Sequence, residues 1–246
     1  MPVEFLADLH IHTCLSPCAE LSMTPRSIVE KAASSGINMI AICDHNSAEN
    51  VGVTKDIAAG KGIRVVAGME INSSEEVHIL GLFEYLQDAI KMQEVVYKHL
   101  QPGENDEETF GMQVVVNEVD EVMAFNKRLL IGATSLSVNR IVDYVHSFNG
   151  LAIASHIDRE GFGIIGQLGF IPPGLDLDAL EISSRTGHDE ARTKFSQYRN
   201  IPWISSSDAH RVEEIGKRAT SLFMNHCTFE ELRLALKGVD GRKISF

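Results

Sequence analysis

VEFLADLHIHT, residues 3–13, begins as an apolar strand and ends on two histidines separated by one isoleucine. In a strand, residues i and i+2 point the same way, so His10 and His12 project together. Two neutral imidazoles side by side bring no packing advantage, but they form half of a site for a divalent transition metal. A pair of ordinary polar residues at a strand end is the plain alternative. The rest of the chain has to decide between them.

Downstream, short apolar runs alternate with amphipathic segments, the pattern of a βα architecture. MTPRSIVEKAASSG (23–36) reads as a helix with Thr24 as N-cap, Pro25 in the first turn and Gly36 as the stop. INMIAIC (37–43), IRVVAGMEI (63–71) and EVHILGLF (76–83) read as strands, with a helix within 48–62 and another over about Leu86 to Leu100. The acidic QPGENDEETFG (101–111) reads as an exposed loop. VNEVDEVMAFNKRL (116–129) and SVNRIVDYVHSFNG (137–150) read as helices, the second with Ser137 and Gly150 at its caps. LAIASH (151–156), LDALEIS (177–183) and IPWISSSDAH (201–210) are further strands, with a short helix near residues 164–170 and another after Gly187. TFEELRLALKG (228–238) opens with a capping box, Thr228 and Glu231, and RKISF (242–246) reads as a last strand. About seven βα units in one α/β domain, residues 1–246, imply a closed barrel.

Composition bounds the function. The 246 residues hold 44% hydrophobic side chains, ample for a core, and no apolar run long enough to span a bilayer. The start of the chain lacks the layout of a signal peptide, so a cytoplasmic protein with no membrane partner is expected. Four cysteines then read as reduced thiols. The net charge of −12 argues against a broad footprint for long nucleic acid, and none is expected as a partner. Carboxylates that ligate dications would make the site itself attractive to phosphate.

The metal-capable residues fall at strand ends. His10 and His12 end the first strand, His45 follows the second, and Glu70 ends the third. His78 lies in EVHILGLF, His156 ends LAIASH, and Asp208 and His210 end the last of the set. In βα barrels the C-terminal rim carries the active site, so eight such residues on one rim point to metal. Imidazole-rich sites favour Zn, Mn or Fe over Mg or Ca.

DLHIHT, CDHNS, the Glu of GMEINS, the His of VHILG, the His of ASHID, and SSSDAHR occur in the order seen in the PHP (polymerase and histidinol phosphatase) family, and from Asp8 to about Gly216 the chain resembles it. The resemblance implies a distorted (β/α)7 barrel with two or three divalent metal ions at the C-terminal ends of the strands, and phosphoesterase activity. It places His10, His12 and Asp208 on one metal, with Glu70 bridging to a second that His78 and His156 complete. His45 and His210 would hold a third. Many members carry an acid or a histidine five positions after the second His; here that position is Pro17, and Glu20 is the nearest carboxylate for the third site. Cys18, in the same loop, is a further conceivable ligand.

The expected reaction is hydrolysis of a small phosphomonoester or phosphodiester by a metal-activated hydroxide, with Glu70, Asp208 and His210 in the catalytic set. Arg159, Arg185 and Arg211 follow strand ends and are the candidate phosphate readers. Two alternatives stay open: a non-catalytic metal-binding module, and a C–N hydrolase of amidohydrolase type. The second lacks a strand-borne Lys to bridge its metals.

Overall fold

The protein is described by a computed structural model covering residues 1–246. In chain order the elements are β1 (Val3–Ile11), α1 (Pro25–Ser34), β2 (Met39–Ile42), α2 (Val51–Ala58), β3 (Arg64–Asn72), β4 (His78–Phe83), α3 (Leu86–His99), α4 (Glu107–Phe110), β5 (Val114–Val116) and β6 (Val122–Phe125). Then follow α5 (Val138–Ser147), β7 (Leu151–Ala154), α6 (Ile164–Leu168), β8 (Ala179–Ile182), α7 (His188–Lys194), β9 (Trp203–Ser205), β10 (Thr220–Met224), α8 (Phe229–Lys237) and β11 (Lys243–Ser245). No helix is long and apolar enough to cross a membrane.

Nine strands form one sheet in the order β11-β10-β1-β2-β3-β4-β7-β8-β9. Beyond β9 the chain returns to β1: Ile11 bridges Ala209 in parallel, and the His12 N–H donates to Ala209 O at 3.1 Å. The sheet therefore curls nearly shut through β1, β2, β3, β4, β7, β8 and β9, the distorted barrel expected from the sequence. One core cluster takes Leu9, Ala41, Val66, Leu80, Ile153, Ala179 and Ile204, a residue from each of those seven strands, and so fills the barrel axis. Phe229 and Leu232 of α8 join it and close the end away from the ligand rim. The larger cluster packs the outer face against Ile28 and Val29 of α1, Met92 and Val96 of α3, and Ile141 and Val145 of α5.

Two features depart from a regular βα repeat. β4 runs antiparallel to both β3 and β7. His78 therefore reaches the ligand rim from the N-terminal end of its strand, not the C-terminal end. The second feature is a register shift in β1 between Asp8 and Ile11. Leu9 belongs to the axial cluster and Ile11 to the outer one, while His10 and His12 both face Glu70 across the barrel mouth. A bulge re-aims the side chains that follow it. Here it changes the strand's parity after Leu9, so that both imidazoles turn inward.

Residues 116–129 are not a helix. β5 and β6 pair as an antiparallel hairpin. Asn117 Oδ1 accepts the N–H groups of Val119 and Glu121, and Asp120 takes a left-handed φ of 65°, so the chain reverses. The acidic stretch before it is mostly loop, with the one-turn α4 inside it. Thr24 and Ser137 cap their helices as expected, accepting from Ser27 N–H and Arg140 N–H. Gly150 is not the cap of α5. Asn149 takes the left-handed position, at φ 57°. Gly150 is small because a Cβ there would meet Phe83 Cε1 at 2.7 Å and Leu82 O at 2.9 Å. At α8, Thr228 accepts the Glu231 N–H, but the Glu231 carboxylate accepts from Asn225 N–H and pairs with Arg242, so the box is only half made.

Candidate metal centre

The barrel gathers eight of the nine expected ligand residues, all but Glu20. Along β3 alternate residues face the axis: Val66 packs in the core, Gly68 leaves space where a Cβ would meet Leu82 Cδ2 at 2.8 Å, and Glu70 stands above it. The Glu70 carboxylate lies at the centre of the cluster. Its Oε1 is 3.0 Å from His78 Nδ1, 3.2 Å from His156 Nε2 and 3.4 Å from His10 Nε2; its Oε2 is 3.3 Å from His45 Nδ1 and 3.5 Å from His12 Nε2. Asp208 Oδ1 is 3.2 Å from His12 Nε2 and 3.3 Å from His10 Nε2. Seven of the eight are buried, and His210, half-buried, closes the set with Nδ1 2.8 Å from the Asp208 carbonyl.

Three triads or tetrads place their ligand atoms within 4.8 Å of one another: His10, His12 and Asp208; His45, Glu70 and His78; and His12, Cys18, His45 and His210. The first matches the expected set. In the second His45 stands beside His78, while His156 reaches the same Glu70 oxygen as His78. His156 and Asp208 both sit at left-handed φ values, 29° and 50°. Such strain in non-glycine residues collects at functional sites.

The donors fit a divalent cation. His78 Nδ1 lies near Glu70 yet makes no hydrogen bond, and His156 Nδ1 has no partner either. Buried polar atoms without partners are rare. Burial, and then the neighbouring His210, lowers His12 to about 4, and burial takes His45 well below its ordinary value. Both are therefore neutral imidazoles with lone pairs to offer. Against their own burial, Glu70 is held well below the carboxylate range by His78 and His10, and Asp208 by His10 and His12. His10 sits among three carboxylates. Despite burial, Glu181, Asp208 and Glu70 hold it well above its ordinary value.

Glu181 is the residue that the sequence reading missed. Its Oε2 accepts from His10 Nδ1 at 2.9 Å and from the His156 N–H at 3.1 Å. On β8, Leu180 and Ile182 face the outer cluster, so Ala179 and Glu181 face the axis. A carboxylate behind a metal-facing imidazole sets its tautomer and orientation. Glu181→Gln is expected to weaken metal binding by roughly 10–100-fold, measured by competition with a chromogenic chelator. An unchanged affinity would remove Glu181 from the centre.

Ser16 and Asp44 do the same for His12. His12 Nδ1 is 2.9 Å from Ser16 Oγ, which donates to Asp44 Oδ1 at 2.7 Å. Asp44 also accepts from Thr13 N–H and Oγ1, and Asp8 accepts from the N–H groups of Ser207 and Gly216, pinning the loop that carries Asp208.

Two expected residues lie elsewhere. Glu20 is not turned to the histidines: its Oε1 is 3.0 Å from Arg211 Nε, and both side chains are more than half exposed. That pair also takes Arg211 away from the centre. Arg159 does reach it, with Nη2 2.6 Å from Asp208 Oδ2. Arg159, Arg185, Ser184, Ser207, Lys217 and His210 line a cavity of about 400 Å³ beside the ligands, and Lys217 is an unanticipated cation there. A smaller cavity of about 200 Å³ lies directly over Glu70, His78 and His156, walled by Ile131 and Phe162.

Residues 8–167 match the family described as PHP domain, and residues 189–238 the one described as PHP-associated. The second segment supplies β9, β10 and α8, strands of the same sheet and the plug of the barrel. The uncharacterized protein YqxK of Bacillus subtilis is 26% identical over 98% of this chain and 64% of its own length. The lesion-specific endonuclease PfuEndoQ of Pyrococcus furiosus superposes with a TM-score of 0.78 at 21% identity, over 98% of this chain and 58% of that one. A Bifidobacterium adolescentis protein described as a metal-dependent phosphoesterase gives a TM-score of 0.56 at 17% identity, over 88% of this chain and 91% of that one. The chain thus spans less than two thirds of the length of YqxK and PfuEndoQ.

One expectation is overturned here. Net acidity argues against a long nucleic-acid partner, yet endonuclease Q, with this fold, is solved in complex with a 27-mer duplex carrying an abasic lesion at its active site. Net charge is a sum over the whole surface, whereas a ligand meets the local field of the cleft. Here the cavity beside the ligands bears Arg159, Arg185 and Lys217 against Asp208 and Glu214.

Proposed function

The chain belongs to the PHP domain family, and from that premise we propose that it is a metal-dependent hydrolase of phosphoesters. The observation that carries this reading is the convergence of six imidazoles and two carboxylates on one barrel mouth, beside a cavity that presents guanidinium and ammonium groups. His10, His12 and Asp208 would hold one ion, Glu70 would share itself between that ion and a second, and His78, with His45 or His156, would complete the second. Bound divalent ions, of the Zn, Mn or Fe type that imidazoles favour, would supply Lewis acidity and a nucleophile at neutral pH.

The chain's own groups do the rest. Glu181 and Ser16 orient His10 and His12 from behind. Asp208 steadies the Arg159 guanidinium at the rim, where its remaining N–H groups can meet the non-bridging oxygens of a phosphoryl group. Ile131 and Phe162 give the small cavity its apolar wall.

The substrate favoured by this layout is a phosphodiester within a nucleic-acid strand. Arg185 and Lys217 would bind a second anionic group next to the one over the ligands, and a polynucleotide offers phosphates in series. The likeness to endonuclease Q supports the same class. A small phosphomonoester is the second reading, favoured by the modest volume over Glu70, which suits one phosphate.

The test is hydrolysis of a chromogenic monoester, a chromogenic diester, and a duplex oligonucleotide with and without an abasic site, before and after chelation and metal add-back. Chelator-sensitive cleavage of a diester or an oligonucleotide is expected. Turnover of the monoester alone selects the second reading. No turnover of any of these by metal-loaded protein would leave the non-catalytic module.

A further inference from the structure

We propose that Cys18 is a thiolate ligand of a third metal ion, in the place that the sequence pattern left to Glu20. The proposal rests on the metal-centre reading above but not on the reaction. Cys18 Sγ and the ring nitrogens of His12, His45 and His210 lie within 4.8 Å of one another, and Cys18 lines the cavity over Glu70. The rings of His12 and His210 stack with centroids 4.4 Å apart, and those of His12 and His45 are 4.8 Å apart. His12 serves the first site, and with His156 beside His78 on Glu70 completing the second, Cys18, His45 and His210 are the set for a third ion. Three protein ligands with an open position are the habit of exchangeable, catalytic zinc sites.

Two independent features set Cys18 apart. The thiols of Cys14, Cys43 and Cys227 each donate to a main-chain carbonyl, of Val114, Leu9 and Asn38, at 3.6, 3.5 and 3.5 Å. That of Cys18 faces imidazoles instead. The loop that carries it is also clamped from both sides. The Glu20 N–H donates to the His210 carbonyl at 3.0 Å, and Gly111 packs so closely on Pro17 that a Cβ would come within 2.6 Å of the Pro17 carbonyl oxygen. This clamp fixes Cys18 toward the histidines while the Glu20 side chain points out to Arg211. Thiolate ligation makes the site selective for a soft or borderline ion, zinc before manganese or magnesium. As the sulfur–metal bond forms, the thiol proton leaves to solvent, one per ion bound.

Stepwise cobalt(II) titration of the full chain, stripped of metal, tests this without reference to turnover. A near-ultraviolet thiolate-to-cobalt charge-transfer band should grow with the last equivalent. C18S should lack the band and bind one cobalt fewer, keeping the other two. C227S and E20Q should keep both band and stoichiometry. Because Cys18 is exposed, its alkylation by iodoacetamide gives a second readout, and metal should protect it. The proposal is overturned if the fully loaded parent shows no charge-transfer band, or if C18S binds as much cobalt with the same spectrum. Parent protein that binds no cobalt would defeat the whole metal-centre reading as well. Full metal loading and the band, with every phosphoester left intact, would defeat only the proposed function.

Discussion

Glu70→Gln is expected to empty the centre. The carboxylate is approached within 3.0 to 3.5 Å by His10, His12, His45, His78 and His156, so all of these depend on its charge and its two equivalent oxygens. Glutamine keeps the shape but offers one neutral oxygen and an N–H2 group that donates toward the imidazoles. Metal content should fall from two or more ions per chain to less than one, and turnover by at least about 10³-fold, the upper end of what one preorganised electrostatic partner contributes. Elemental analysis and steady-state rates on the same preparation check both. Retention of metal and rate would mean that Glu70 is not shared between ions. The fold should survive, because the carboxylate lies above the axial core, not within it.

Arg159→Met is expected to separate binding of metal from chemistry. Its guanidinium touches Asp208 and lines both cavities, so it sits between the ligands and the approach of substrate. Methionine keeps the aliphatic stem and removes the fork. kcat should drop roughly 10²–10³-fold. Metal content should stay near that of the parent, since His10, His12 and Glu70 are untouched. Arg159→Lys should recover little of the loss, because an ammonium presents no planar pair of donors. A rate unchanged in Arg159→Met would reduce this arginine to a structural partner of Asp208.

The residues of the centre were legible because their signals are local. His-x-His at a strand end and Asp-x-His at another are short motifs, and strand ends in a barrel share a rim. What escaped depends on pairing between distant segments. Nothing in EVHILGLF announces that β4 runs antiparallel and so brings His78 to the ligand rim from the N-terminal end of its strand. The change of parity in β1 shows only in its register against β2. Glu181 is one acid in a short strand, and its alternation with Leu180 and Ile182 is the usable sign that it faces the axis. The hairpin at 114–125 misled because Val116, Val119, Val122 and Met123 have helical spacing, yet Val119, Val122 and Met123 are exposed. The run Val114–Val116, rich in β-branched residues, was the better guide. Glu20 and Cys18 lie two residues apart in one loop, and which of them faces the histidines shows only in contacts with distant segments, at His210 and Gly111.

The measurement that bears most directly on this account is metal content per chain, by elemental analysis of protein purified without chelator or affinity metal, paired with diester hydrolysis before and after chelation. Two or three ions per chain, with activity lost on chelation and restored by Zn, Mn or Fe, is the expected result. Less than one ion per chain, with hydrolysis indifferent to chelator, would contradict it.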